Sequence, residues 1–392
     1  MNKSLNKFNM DFCDKYNYPV EIKEHIIEIT RLFSSFDNVL SVILMGSTAR
    51  GEFSYKVSEN HLILFSDYEF FLIIKRRFYK EEEIRLQKQL LKYEKNLSFN
   101  SPLFHISVGR EMVDKIMKLP KIIRNYEMKQ NGIVLYGLDL MYQLPDISLE
   151  NLDYKDLNSL IYKRLRHILF FIPKDMSFYL QDCPEAAILD YILTRNALEL
   201  TTVFLPYQNI LLPSYRERVH YVLDNLRESP SFMQWFHDDI RSVLELSLAV
   251  KENKIINVDR KDLYLKIIVL YLDIITFLRR ENKLVFNEWP KGRNEIIKLY
   301  RMFIEICYKA GIGKAISWLF LKKKETVLNV LLSMHVALKN RLTGEKDEEN
   351  IVSAYKNLKA LYPLRSIKKE GDFVEQWLKL RDVFNILWAR WF

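Results

Sequence analysis

The chain is poor in the residues that build disulfide frameworks, zinc sites and elaborate loops. Its 392 residues include three cysteines, 10 glycines and 11 prolines. Cys13, Cys183 and Cys307 lie far apart, with no CxxC motif and no Cys/His cluster. This spacing argues against a disulfide framework and a zinc site, and it predicts reduced thiols in a cytoplasmic protein. The few glycines and prolines predict long helices and strands joined by simple loops.

Long apolar runs are also missing. No uninterrupted apolar segment reaches the roughly 18–20 residues of a membrane span. Residues 1–17 lack the apolar core of a signal peptide, so we expect neither a membrane span nor secretion. Hydrophobic residues at 49% and aromatic residues at 13% are enough for a sizeable core. A chain of this length predicts two domains, with a third as an alternative.

The charge balance is basic but mixed. The formal net charge is +9, which favours anionic ligands such as nucleotides, RNA or an acidic membrane surface. However, 50 acidic residues are interspersed with the 59 basic residues. A generally solvated, lysine-rich surface therefore explains the charge equally well.

The first part of the chain alternates between strand and helix patterns. Apolar runs predict two strands. Between them, from Glu52 to Ser66, lies a longer connection with polar residues around a short apolar run. A third strand and a short fourth one follow, separated by a helical pattern that Pro120 interrupts. The predicted strands are Val39–Met45, Tyr68–Ile74, Pro102–Gly109 and Ile133–Tyr136, and the predicted helices are Glu21–Phe36, Glu81–Asn96 and Met112–Gln130.

Beyond Pro145 the strand alternation disappears and apolar residues recur at helical spacing. At one helix start, Ser214 and Glu217 have the spacing of a capping box. The predicted helices are Tyr154–Phe171, Pro184–Leu205, Tyr215–Glu228, Ser231–Lys251, Lys261–Asn282, Asn294–Ala310, Lys323–Arg341, Glu348–Leu361 and Asp372–Phe392.

The junction between the first two strands carries the chemistry. Gly46 follows the first strand and lets the backbone approach a ligand closely, because it has no Cβ. Ser47 and the neighbouring amide groups are able to donate hydrogen bonds to phosphate oxygens. Asp67 and Glu69 are two residues apart, so on a strand they point the same way. Two carboxylates beside a phosphate-binding turn are what Mg²⁺ ions carrying a triphosphate require.

This order of residues resembles the nucleotidyltransferase superfamily of DNA polymerase beta, poly(A) polymerases and aminoglycoside nucleotidyltransferases. The matching positions are Gly46-Ser47, Ala49-Arg50-Gly51, Asp67 and Glu69. The resemblance covers about the first third of the chain and is specific only when the positions are taken together. It implies an α+β protein, with a small mixed-sheet nucleotidyltransferase domain at 1–145 and an all-α helical domain at 146–392.

The resemblance also implies a reaction and its participants. An acceptor oxygen attacks the α-phosphorus of a nucleoside triphosphate, and pyrophosphate leaves. Asp67 and Glu69 would hold two Mg²⁺ ions, and Gly46 and Ser47 would cradle the terminal phosphates. Arg50 would add a cation near the phosphates, or else form a salt bridge to Glu52 or Glu69.

One feature of the superfamily is missing. Its enzymes usually carry a third carboxylate on a later strand, which completes the metal site and accepts the proton of the acceptor. The matching strand of this chain offers His105 or Ser107 and no acid. His105 is a candidate base or an ordinary strand residue. Glu127 would supply the acid if its helix end folds toward the site, or it is a solvated helix residue.

Basic residues in the helical region are the remaining candidates. By the same resemblance, Lys163 or Arg166 would reach the triphosphate, although an exposed charged helix face explains them as well. Arg195, Arg216 and Arg218 are further candidates for substrate contact.

Three functions follow from these patterns. The first is Mg²⁺-dependent transfer of a nucleoside monophosphate to an unidentified small molecule, sugar or protein. The second is a catalytically weakened relative that binds nucleotide as a regulatory or interaction module. The third is an RNA- or oligonucleotide-directed enzyme, which the net charge allows but which the lack of a recognisable RNA-binding motif does not favour.

Overall fold

The structure is a computed structural model that describes residues 9, 11–58, 61–97, 101, 103–179, 183–225, 239–254, 257–286, 293–310, 312–319, 323–345, 349–361 and 371–391. It is an α+β structure with a small mixed sheet of four strands and many helices. The chain forms two compact units. The first contains residues 1–153, 205–224 and 245–257, and the second contains residues 154–204, 225–244 and 258–392. The domain boundary at residue 145 stays a prediction, because a compact unit need not be a domain that folds alone.

Helices and strands are interspersed in the first part of the chain. The strands predicted for residues 39–45 and 68–74 are confirmed with unchanged bounds. The elements are α1 Asp11–Lys15, α2 Val20–Ser34, β1 Val39–Met45, α3 Gly46–Ala49, β2 Tyr55–Ser58, β3 His61–Leu64, β4 Tyr68–Ile74, α4 Lys80–Leu97, β5 Ile106–Met112, α5 Ile123–Asn131 and β6 Ile133–Gly137.

The four-stranded sheet has the order β5-β4-β1-β6. Strand β1 lies antiparallel to both β4 and β6, whereas β4 and β5 are parallel. The register places Glu69 of β4 between Met45 of β1 and Ser107 of β5. Strands β2 and β3 form a separate antiparallel hairpin in the region where the sequence predicts only an irregular excursion.

The two faces of the sheet bury different residues. One face packs Leu44 and Phe70 into a core with Phe33 of α2. The other packs Phe71 with Met128 of α5. Because side chains alternate along a strand, Glu69 belongs to the same face as Phe71, the face that α5 covers.

The segment before α5 differs from its prediction. The sequence predicts a helix from Met112 to Gln130, whereas β5 extends to Met112 and α5 begins only at Ile123. The residue before Pro120 is held in an extended conformation by the proline ring, and Leu119 has φ −54° and ψ 145°. The helix therefore starts beyond the proline, which shortens α5 and places Arg124 in its first turn.

Beyond β6 the regular secondary structure of the described chain is helical. All nine predicted helices are present among the described residues. The helix Tyr154–Phe171 is confirmed with unchanged bounds, and the other eight differ at one or both ends. The ends predicted at Glu228, Ser231, Glu348 and Phe392 lie outside the described residues. A tenth helix, α12, was not predicted. None of the described helices is long and apolar enough to cross a membrane. The elements are α6 Tyr154–Phe171, α7 Pro184–Tyr207, α8 Tyr215–Asn225, α9 Asp239–Lys251, α10 Arg260–Arg280, α11 Arg293–Ala310, α12 Ile312–Leu319, α13 Lys323–Thr343, α14 Glu349–Leu361 and α15 Phe373–Trp391.

A buried histidine links three helices of the second unit. His335 of α13 is fully buried, and its Nε2–H donates to the carbonyl of Leu165 in α6 at 2.9 Å. The hydroxyl of Tyr264 in α10 donates to the other ring nitrogen, Nδ1, at 3.0 Å. The bond from Tyr264 requires the neutral ring, because a protonated ring carries a hydrogen on Nδ1. Burial lowers the pKa of His335 to about 4 and outweighs the bond to Leu165, which favours the charged form. Burial and the nearby Arg164 also lower the pKa of His167, to about 3.

The second unit should lose stability in mild acid because of these two histidines. The unfolded chain binds a proton at each histidine near pH 6.5, whereas the folded chain resists protonation down to about pH 4 at His335. Each pKa unit corresponds to about 1.4 kcal/mol, so His335 alone should lower the free energy of unfolding by about 3 kcal/mol between pH 6.5 and pH 4. The residue ranges of the first unit contain no tryptophan, and Trp318, Trp377 and Trp388 lie in the described part of the second unit, so urea unfolding followed by tryptophan fluorescence measures the loss.

The slope of stability against pH is the quantity to compare between variants. His335→Gln and His167→Gln should each flatten it, and the double variant should flatten it most. A double variant with the same slope as the native chain would show that these histidines are not responsible.

Candidate functional site

The end of β1 bends directly against an acidic side chain. Gly46 opens the single helical turn α3 and has φ +70°, a conformation that side-chain-bearing residues rarely adopt. A Cβ at this position would collide with the carboxylate of Glu69. Ser47, the next residue, is buried. The glycine therefore brings the turn and the Glu69 carboxylate together, which a larger residue would prevent.

The two predicted acids lie at the start of β4. Asp67 precedes the strand by one residue and Glu69 is its second residue. The Asp67 side chain is 16% exposed and that of Glu69 is 27% exposed, so both are accessible while held by neighbours. The structure thus brings Gly46, Ser47, Asp67 and Glu69 into one region of the first unit.

His105 is bound to Asp67. The Asp67 Oδ1 atom accepts the backbone N–H of His105 at 3.0 Å and contacts its ring Nδ1 at 2.6 Å. The hydrogen bond to Asp67 outweighs partial burial and raises the pKa of His105 above its usual value. The pair orients the ring through Nδ1, and the imidazole side chain is 54% exposed.

The position of the missing third acid holds a hydroxyl and a guanidinium instead. Ser107 lies beside Glu69 on the neighbouring parallel strand. The Nη2 atom of Arg124 lies 3.0 Å from Glu69 Oε2 and 3.5 Å from Ser107 Oγ. Among the residues that the structure describes, no three His, Cys, Asp or Glu side chains are grouped so as to hold a metal ion. Asp67 and Glu69 are thus left without a third carboxylate.

Arg50 belongs to a buried ion-pair network. Its Nε atom lies 2.8 Å from Glu52 Oε2 and its Nη1 atom 2.9 Å from Glu127 Oε2. Glu127 also pairs with Arg218 at 2.6 Å. Burial alone would lower the pKa of Arg50, but the carboxylates of Glu127 and Glu52 outweigh burial and hold that pKa above its usual value. The salt bridge to Glu52 considered from the sequence is present, and the carboxylate of Glu127 is bound by two arginines.

The same network reaches a segment far along the chain. Glu52 Oε1 accepts the backbone N–H of Arg216 at 2.9 Å at the start of α8. The predicted helix cap by Ser214 is confirmed, since its Oγ accepts the backbone N–H of Glu217 at 3.1 Å. The carboxylate of Glu217 accepts the hydroxyl of Ser214 at 2.6 Å, so the two predicted partners contact each other. The side chain of Arg216 pairs with Glu252. Arg216 and Arg218 therefore have structural partners within the first unit, which no local pattern could reveal.

The other predicted cations belong to the second unit. Lys163 is exposed on α6. The guanidinium of Arg166 lies 4.6 Å from the ring centroid of Trp388, a cation–π contact. Arg195 lies over the ring of Tyr191 at 5.9 Å. The roles of Lys163 and Arg166 in triphosphate binding, and of Arg195 in substrate contact, stay predictions.

Comparisons with known proteins identify no relative of this chain. The chain matches no protein-family model, no curated protein and no solved structure. The resemblance to nucleotidyltransferases therefore depends on the residues of the turn and of β4, and its functional meaning depends on their geometry.

Glu127→Gln should destabilise the chain markedly. The side chains of Arg50 and Arg218 are only 6% and 2% exposed, and the substitution leaves their charges without the carboxylate that both contact. Removing one member of a buried ion pair costs about 3 kcal/mol or more in free energy of unfolding. Urea unfolding followed by far-ultraviolet circular dichroism measures this loss.

Glu83→Gln is the matched control for Glu127→Gln. Glu83 pairs with Arg110, whose side chain is 37% exposed, so its loss should cost about 1 kcal/mol or less. Equal effects of the two substitutions would contradict a structural role for the buried network.

Proposed function

We propose that the first unit binds a nucleoside triphosphate together with one Mg²⁺ ion, and that the protein acts as a nucleotide-dependent regulatory or interaction module. The observation that carries the proposal is the contact of the Gly46 turn with the carboxylate of Glu69, with Asp67 two residues earlier. A phosphate-binding turn and two carboxylates are then close enough to serve one metal-bound triphosphate.

The donor set fits one Mg²⁺ ion. Asp67 and Glu69 would supply carboxylate oxygens, the ligands that Mg²⁺ prefers, and phosphate oxygens and water would be its other ligands. Asp67 uses Oδ1 for His105, and its other oxygen, Oδ2, is the candidate metal ligand. The backbone at Gly46 and Ser47 would donate to the terminal phosphates. The metal's contribution is to neutralise phosphate charge and fix the triphosphate in the site.

Binding is favoured over transfer by what lies near Glu69. Superfamily enzymes usually add a third carboxylate for the two-metal reaction, and the neighbouring strand offers Ser107 there. Glu127, the other acid considered, is held by Arg50 and Arg218. Recruiting it would leave two buried arginines without their shared partner, at a cost of several kcal/mol.

One observation favours nucleotidyl transfer as a second candidate. Asp67 orients the ring of His105 through Nδ1, as carboxylates orient catalytic histidines in other enzymes. In this reaction the hydroxyl of an acceptor attacks the α-phosphorus, its proton passes to the neutral ring of His105, and pyrophosphate leaves. Since the pKa of His105 is raised, transfer would increase as the pH rises.

Mg²⁺-dependent thermal stabilisation tests nucleotide binding. With ATP, GTP, CTP or UTP at about 100 times its Kd, the chain should gain about 2.7 kcal/mol, measured as a rise in Tm of a few degrees that requires Mg²⁺. Asp67→Asn should abolish the rise by removing a metal ligand, and Gly46→Ala by displacing Glu69. Glu81→Gln, which neutralises an exposed acid in α4, should retain it.

Pyrophosphate release, measured in the same samples with a small-molecule extract as acceptor pool, separates the two candidates. Stabilisation without pyrophosphate release supports the binding function. Pyrophosphate release by the native chain that is lost in His105→Ala would instead support nucleotidyl transfer as the function. No Mg²⁺-dependent stabilisation by any of the four nucleotides would contradict both.

A further inference from the structure

Arg124 lies where a superfamily enzyme would complete its metal site. It is in the first turn of α5, the helix that covers the sheet face bearing Glu69. Its Nη2 atom is 3.0 Å from Glu69 Oε2 and 3.5 Å from Ser107 Oγ. One guanidinium nitrogen thus contacts both the second acid and the residue that replaces the third.

The charges near Glu69 differ from those of a two-metal site. Three carboxylates carry a charge of −3, which two divalent cations balance with the help of the phosphates. Here the formal charges of Asp67, Glu69 and Arg124 sum to −1. A second Mg²⁺ would have to share Glu69 with a guanidinium that already contacts its Oε2 atom. Two cations at such short range repel each other strongly where water is partly excluded.

We propose that the Arg124 guanidinium takes the place of the second divalent cation, so that the site binds a triphosphate with one Mg²⁺ and one fixed positive charge. This inference rests on the proposed nucleotide binding. Arginine suits the role because it stays protonated at all physiological pH values and its planar head group contacts carboxylate and phosphate oxygens. Unlike Mg²⁺, it cannot coordinate and activate an acceptor hydroxyl, which explains retention of nucleotide binding without transfer.

An ordinary surface salt bridge is the competing explanation for Arg124. Its side chain is 46% exposed, and exposed pairs contribute little to stability. Stability measurements therefore cannot distinguish the two explanations. The number of metal ions bound per chain does, because only a substitute cation excludes a second ion.

Counting Mn²⁺ by electron paramagnetic resonance, with the full chain and saturating ATP, tests the substitution. The native chain should bind one Mn²⁺ per bound nucleotide. The double variant Ser107→Asp with Arg124→Gln, which supplies the third carboxylate and removes the cation, should bind two. Ser107→Asp alone should still bind one, because the new carboxylate would pair with Arg124. The matched neutral double variant, Ser107→Asn with Arg124→Gln, should also bind one.

A second measurement does not depend on the double variant folding. Without nucleotide, Arg124→Gln should lower the Kd for Mn²⁺ about fivefold, since a neighbouring positive charge costs about 1 kcal/mol in a partly exposed site. Arg124→Lys, which keeps the charge, should leave the Kd unchanged. Arg110→Gln removes an arginine of β5 that pairs with Glu83 of α4, and this change should also leave the Kd unchanged.

The outcomes separate the two proposals. No ATP-dependent Mn²⁺ binding by the native chain would overturn nucleotide binding and this inference with it. Two ions on the native chain would overturn the role of Arg124 and leave nucleotide binding intact. A single ion on a folded Ser107→Asp, Arg124→Gln variant, or an unchanged Kd in Arg124→Gln, would also overturn the role of Arg124.

Discussion

The carboxylate of Glu69 occupies a space that exists only because residue 46 has no Cβ. The positive φ of Gly46 turns the chain out of β1 at that point, and β4 presents Glu69 to it in register with Met45. Arg124 contacts the same carboxylate from α5. The side chain of Glu69 is thus held between the backbone of Gly46 and the guanidinium of Arg124, and the candidate site is organised around it.

A second constraint holds the other end of the turn. The side chain of Arg50 extends from the turn into a buried network, where it pairs with Glu52 and Glu127. Glu127 also pairs with Arg218, and Glu52 accepts the backbone N–H of Arg216. Buried charges are tolerated only when they are paired, so these partners must stay in place together. The arginine that the sequence suggests as a phosphate ligand therefore has a structural task, which positions the turn that Gly46 begins.

The sequence predicted the parts of the site that depend on local pattern. Two apolar runs define β1 and β4, and the spacing of Asp67 and Glu69 follows from strand alternation. It could not predict Arg124, because the contact with Glu69 depends on how α5 packs against the sheet. The β2–β3 hairpin, the inclusion of residues 205–224 in the first unit and the partners of Glu127 also depend on contacts distant in sequence. The resemblance implies a third carboxylate beside Glu69, whereas the packing of α5 places the guanidinium of Arg124 there.

The most direct test of one metal ion held by Asp67 beside the Gly46 turn is paramagnetic broadening of histidine resonances. The chain has seven histidines, and the ring of His105 contacts Asp67 at 2.6 Å. When substoichiometric Mn²⁺ is added with ATP, the resonance of the His105 ring should broaden strongly. A sharp His105 resonance when Mn²⁺ and ATP are bound would contradict the account, since the ion would then lie elsewhere.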